Sequence, residues 1–448
     1  MAKHAPSRLP ALAAMLASAW SGTGCGLGSD QAPGLSKQDE QPVIDLSGIP
    51  VPPADGPRLA SIANATPIYA RPSAESEEVG FLHAGSRVAR SEEPVSTAGC
   101  AEGWYAVRPR GFVCADGSAT TDLEHPTLVA MSIQPQLDKA LPYTYARTTK
   151  ATTLYGIDPD NDDAVVAKAK LQAHSGMAIV GSWTAKGPEG ESLRLAMLPD
   201  GGFVPAQDLR QAKPSPFAGT ELDEDRSLPL AYVVKRGVRS WKLDGQSVAK
   251  GPELGFHGML ALTGRYRTVE KVRFWATEDE TWVRHRDVTA LRRRDGFPDF
   301  VTKDLRWIDV SIITGTMVLY EGKRPVFATL VSTGRDRLGD PKETLSTARG
   351  TFEVTAKLVT GARLDPMEFS ENAQIRDVPW VLKLSSGQHI HSAYWHDRFG
   401  IEHGTGDIAL SPEDALRVWR WATPDLPEGW HGVAADAEGT KTIVHVRK

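Results

Sequence analysis

Glycine and proline interrupt this chain so often that long helices are nearly excluded. There are 41 glycines and 31 prolines in 448 residues, and short runs of alternating apolar and polar residues stand between them. Gly adopts turn conformations that other residues resist, and Pro removes a backbone donor, so the expected fold is short strands joined by turns. Apolar residues make up 41% and charged residues 24%, enough to bury a core. The 51 basic and 56 acidic residues give a net charge of -5, which excludes the cationic footprint of a nucleic-acid binder. At roughly 100–200 residues per domain, the length predicts two to four domains.

The strand-and-turn pattern recurs. Pro67-Ile68-Tyr69-Ala70, Gly80-Phe81-Leu82, Trp104-Tyr105-Ala106-Val107 and Gly111-Phe112-Val113 form a first pass. A second runs through Thr153-Leu154-Tyr155, Gly176 to Val180, Leu193-Arg194-Leu195 and Gly202-Phe203-Val204. Val238 to Trp241, Gly258 to Leu262, Val272 to Trp275 and Thr281-Trp282-Val283 make a third. A spacing of roughly 80 residues suits one small barrel each. The three segments, 59–125, 140–212 and 226–292, resemble bacterial SH3-like modules. That resemblance implies either contact with peptidoglycan or a purely architectural role.

The N-terminus reads as an export signal over residues 1–25. Lys3 and Arg8 precede an apolar stretch from Leu9 to Trp20 that is too short to span a bilayer, and Ser21-Gly22-Thr23-Gly24-Cys25 follows. This ending resembles a bacterial lipobox, with Gly22 where Leu is usual. It implies lipidation of Cys25, with plain secretion as the alternative, and so an exported, periplasmic, membrane-anchored protein. The lack of Asp directly after Cys25 points towards the outer membrane. Residues 26–58, rich in Pro, Gly and Asp, read as a disordered tether. Of the three cysteines, Cys100 and Cys114 remain, and in an oxidising compartment they are expected to form a disulfide, the alternative being two buried thiols.

The last segment, 304–447, reads as mostly β with one packed helix. Trp307 to Ser311, Met317 to Tyr320 and Phe327 to Val331 alternate as strands around a turn at Glu321-Gly322-Lys323. Pro412 to Trp421 is the convincing helix, opened by Ser411 as N-cap, with Glu413 and Asp414 in its first turn and a stripe of Ala415, Val418, Trp419 and Ala422. The fold class is therefore mainly β: three small barrels followed by a mostly-β domain.

Histidines crowd near the C-terminus at His389, His391, His396, His403 and His431. His389 and His391 are two apart and face the same side of a strand. With His396, His403 and Asp407 they could be written as a zinc site, but spacing alone is a weak signal, and neither metal nor cofactor is expected. Resemblance explains the cluster better. Val331-Ser332-Thr333-Gly334, Gly350-Thr351-Phe352, Asp377-Val378-Pro379-Trp380, the run from His391 to Gly400, Leu410 to Ala415 and Leu426 to Gly432 together resemble the L,D-transpeptidase (YkuD-like) catalytic domain, which cross-links peptidoglycan.

The resemblance breaks at the chemistry. Where the family carries Ser-His-Gly-Cys, this chain has Gly404-Thr405-Gly406-Asp407. The position of the nucleophile falls on Asp407 and that of its histidine neighbour on Thr405; Gly406 and the upstream His391 survive. Acyl transfer from an amide needs a strong nucleophile that also forms a tolerable acyl intermediate, as a thiolate paired with imidazole does. A carboxylate is weakly nucleophilic and would give a high-energy anhydride. The expected function is thus a pseudoenzyme that binds peptidoglycan, stem peptides or an envelope partner, with Tyr394, Trp395, His396 and Arg398 as binding residues beside the remnant site His391, Thr405, Gly406 and Asp407. Two alternatives stay open: a peptidoglycan-processing transferase or hydrolase using His391 and Asp407, and a structural spacer in which Tyr394 and Trp395 are core.

Overall fold

Strands dominate the computed structural model, which describes residues 46–361, 367–370 and 373–448. The export signal, Cys25 and the tether as far as residue 45 lie outside the described residues. No helix among the described residues is long and apolar enough to cross a membrane.

In the C-terminal segment, Arg306–Ser311, Thr316–Glu321 and Arg324–Leu330 form an antiparallel meander with Ile308 opposite Leu319 and Leu319 opposite Phe327. Almost every residue of the three strands is buried, so this sheet is covered on both faces. The expected turn at Glu321-Gly322-Lys323 joins the last two strands. The final strand Ile443–Arg447 runs parallel to Arg306–Ser311 and pairs with the long strand Gly350–Thr360. From there the sheet passes through Pro379–Leu384 and His389–Ser392 to Ile408–Leu410, the last two running parallel.

The helix forms as its sequence dictates. Ser411 accepts a hydrogen bond from the Asp414 N–H at 3.3 Å, Pro412 occupies the first turn, and Ala415, Val418 and Trp419 face inward. Trp419 lies 4.9 Å from the Trp380 ring and donates its indole N–H to the Leu358 carbonyl at 2.8 Å. Buried Lys357 donates to the Ala422 carbonyl at 2.8 Å, placing a cation at the negative end of the helix dipole. Burial lowers this ammonium to about 8. A second, five-residue helix, Pro126–Ala130, is too short to leave a periodic signal in the sequence.

Upstream, residues 58–120 build a sheet of Arg87–Ala89, Arg58–Ser61 and Ala119–Thr120, beside the paired strands Thr66–Tyr69 and Glu78–Leu82. Cys100 and Cys114 are disulfide-bonded there, their Cα atoms 5.9 Å apart. Strands between Thr152 and Pro205, apart from Gly176–Ile179, close a small barrel, and those between Leu230 and Leu291 belong to a seven-stranded sheet.

Strand pairings tie the upstream part to the C-terminal segment at three places among the described residues, one of them Thr220–Glu221 against Arg324–Leu330. Glu78–Leu82 pairs with Gly432–Ala434, setting Phe81 opposite Gly432. A Cβ on Gly80 would lie 2.4 Å from the Trp430 ring, and one on Gly432 would lie 2.2 Å from Phe81, so both positions must lack a side chain. At the third, Gly176–Ile179 meets Ala373–Ile375 through the pairing of Gly176 with Ile375.

Candidate functional site

The candidate site grows from the neighbouring strands His389–Ser392 and Ile408–Leu410, which pair His391 with Ala409. Because side chains two apart share a face, His389 and His391 both turn towards Asp407, which immediately precedes the second strand. The His389 N–H donates to Asp407 Oδ1 at 2.8 Å, and its Nδ1 lies 3.4 Å from Oδ2. His391 Nε2 lies 4.0 Å from the same oxygen, while its Nδ1 is 3.0 Å from the Ser392 carbonyl. The loop before Asp407 depends on Gly406, whose φ is +110° and where a Cβ would come 2.9 Å from the Gln388 amide nitrogen.

Electrostatics leaves both members of the pair deprotonated at neutral pH. Burial pushes Asp407 up, but the hydrogen bonds from His389 and the closeness of the His391 and His389 rings outweigh it, so the carboxyl sits below its ordinary value and is ionised at neutral pH. His391 is 2% exposed, and burial lowers it despite the neighbouring carboxylate, so it is neutral there. Burial also holds His396 down at about 3, with the neighbouring His403 and His391 adding to it.

Next to Asp407 opens a narrow cleft of about 60 Å³, lined among others by Arg335, His391, Trp395, His396, His403 and Thr405. Trp395 stacks on His391 at 5.7 Å, and the His396 and His403 rings are 4.8 Å apart. Of the expected binding residues, Trp395 and His396 thus reach the cleft. Tyr394 does not: it is 1% exposed and packs against Tyr145 at 4.4 Å. Arg398 is exposed and outside the lining. Thr405 is exposed at the rim and Gly406 is buried beneath it. His431 leaves the cluster altogether, 1% exposed and packed against the His83 ring at 4.7 Å. Among the described residues, no group of three or more His, Cys, Asp or Glu is arranged to hold a metal ion. Sequence reasoning missed Arg335; its only pointer is adjacency to Thr333-Gly334, and it reaches the site because its N–H donates to the Gly404 carbonyl at 3.1 Å.

The buried imidazoles make stability depend on pH in a definite direction. His83 is held at about 4 by burial, His396 at about 3, and His391 and His431 are also lowered. Stability from such groups is full above the unfolded value near 6.5 and is lost as pH falls towards the folded values. Burial raises Asp414 to about 6 and Asp377 to about 7, and these act oppositely, losing stability as pH rises through those values. With more imidazoles than carboxyls perturbed, the unfolding temperature is expected to be lower at pH 4.5 than at pH 7 by several degrees. Thermal denaturation at the two pH values checks this; an unchanged or higher midpoint in acid contradicts it.

One comparison with known proteins falls on the segment that holds this site. Residues 305–446 match the family model of the L,D-transpeptidase catalytic domain, YkuD. No curated protein matches the chain. Among solved structures, an L,D-transpeptidase from Mycobacterium smegmatis is 19% identical, with 54% of this chain and 89% of that chain covered and a TM-score of 0.24. An L,D-transpeptidase from Xylanimonas cellulosilytica is 17% identical, covering 34% of this chain and 65% of that one, with a TM-score of 0.22. One from Stackebrandtia nassauensis is also 17% identical, covering 35% of this chain and 62% of that one, with a TM-score of 0.23. The chain therefore spans slightly under two thirds of the length of the last two. Residues 305–446 thus match the L,D-transpeptidase catalytic-domain family model, and this segment contains no cysteine.

Proposed function

We propose that this chain is an exported cell-envelope lipoprotein whose YkuD-like domain binds peptidoglycan stem peptides without cross-linking them. The observation that carries the reading is Asp407: a carboxylate stands 4.0 Å from His391 Nε2, and residues 305–446 contain no sulfhydryl to take its place. The described cysteines, Cys100 and Cys114, are bonded to each other. A carboxylate does not replace a thiolate in amide acyl transfer, but it does attract an amine, and the cleft sets it beside the Trp395 ring and the Arg335 side chain. In this reading the lipid on Cys25 and the residues up to 58 hold the protein at a membrane, and the three upstream β segments are SH3-like modules that hold the domain near the wall.

Purified protein is expected to sediment with cell-wall sacculi, and Asp407→Ala to weaken that by about tenfold, the size of one lost charge-assisted contact. Failure of the wild type to sediment with sacculi or to bind soluble muropeptides sinks the binding reading and leaves a structural spacer.

One observation favours a second reading. Asp407 is ionised and within reach of His391, a pairing that could act as general base on water. Incubating muropeptides with wild type and Asp407→Ala separates the two: hydrolysis lost in the variant supports a hydrolase, and absent products in both remove it.

A further inference from the structure

Away from the cleft, two chambers of about 480 and 490 Å³ adjoin, and both are lined by Arg293, Arg294 and Tyr320. Neither shares a residue with the cleft beside Asp407. The first adds Arg226, Lys323 and Arg324 around the Phe297 ring; the second adds Arg292 and Arg447. Cations outnumber carboxylates along this furrow, although the whole chain has a net charge of -5.

Several of these guanidiniums are held in place. Asp309 is 3% exposed and accepts from Arg294 Nη1 at 2.6 Å and from Arg447 at 3.1 Å through two nitrogens. Arg294 Nε also donates to the Gly296 carbonyl at 3.0 Å. Arg293 donates to the Leu228 carbonyl at 2.8 Å and to Ser227 Oγ at 3.1 Å. On the rim, Asp223 Oδ1 is occupied by the N–H groups of Asp225 and Arg226 at 3.0 and 2.8 Å. Burying a carboxylate to orient two arginines is unfavourable unless both charges are satisfied, and the outcome is guanidiniums of fixed orientation lining the furrow. Planar guanidinium forks match the oxygens of phosphate, and oriented donors bind it without the entropy of ordering flexible side chains.

We propose that this furrow binds a phosphate-bearing ligand, one anionic group per chamber, with the Phe297 and Tyr320 rings against the rest of the molecule. The same phosphate chemistry can come from a soluble diphosphate or from lipid headgroups at a membrane surface. Full-length protein is titrated calorimetrically with inorganic pyrophosphate at physiological salt, and in parallel is sedimented with phosphatidylcholine vesicles with and without phosphatidic acid. Saturable binding to either probe is expected. Pyrophosphate binding assigns a soluble ligand, and binding only to the phosphatidic acid vesicles assigns a headgroup.

Binding should weaken at least tenfold in Arg226→Ala/Lys323→Ala, which removes two exposed side chains, and also in Arg294→Lys, which keeps the charge and loses the fork. Arg335→Ala, in the other cleft, should bind as wild type. Absence of binding to both probes, or binding unchanged in both furrow variants, overturns the proposal. So does an equal loss in Arg335→Ala, which would mark a general charge effect.

Discussion

Asp407→Cys is expected to produce a thiol that reacts with iodoacetamide at least about tenfold faster than the same thiol in an Asp407→Cys/His391→Ala background, because a nearby imidazole favours the thiolate. The geometry for this is already present. Asp407 is 17% exposed at its side chain, opens onto the cleft, and points an oxygen to 4.0 Å from His391 Nε2. His391 is itself fixed by the Ser392 carbonyl and by the Trp395 ring. Labelling is read as the mass of the peptide containing residue 407, so the other cysteines do not interfere. Adding Thr405→His restores the imidazole that the family carries beside its nucleophile, and a covalent adduct with muropeptide at residue 407 then reports whether the remaining architecture is still competent. Equal labelling rates with and without His391 would mean that the two side chains are not poised as a pair.

Trp380→Ala is expected to lower the unfolding free energy by about 3–5 kcal/mol, the usual range for deleting a buried aromatic ring. Trp380 is 1% exposed, packs 4.9 Å from Trp419 on the helix, and donates its indole N–H to the Ala140 carbonyl at 2.7 Å. The loss therefore opens a cavity under the helix and leaves a carbonyl without its donor. Trp380→Phe keeps a ring against Trp419 and should cost about 1–3 kcal/mol, the penalty for the unmade hydrogen bond. Urea denaturation measures both; a loss under 1 kcal/mol for the alanine variant would show that this contact does not hold the helix.

What could be read from the sequence was local. Ser411, Pro412 and the stripe from Ala415 to Trp419 announce the helix because caps and period act within a few residues. Gly322-Lys323 announces its hairpin for the same reason. His389 and His391 were expected on one face because the side-chain period of a strand is two, and both meet Asp407. Pairing between distant segments leaves no such signal. Nothing near Tyr394 says that its face is taken by Tyr145, nothing near Gly432 says that Phe81 lies opposite, and nothing near Arg335 places it beside Thr405. The run Arg292-Arg293-Arg294 is visible in the sequence as charge, but the fixed orientation of Arg294 comes from Asp309, a buried residue on a distant strand.

The proposal that this domain binds without cross-linking is tested most directly by product analysis. Wild-type protein incubated with purified muropeptides, with products separated chromatographically and identified by mass, is predicted to yield no cross-linked species above a protein-free control. Cross-linked muropeptides that accumulate with wild type and disappear in His391→Ala would contradict that prediction.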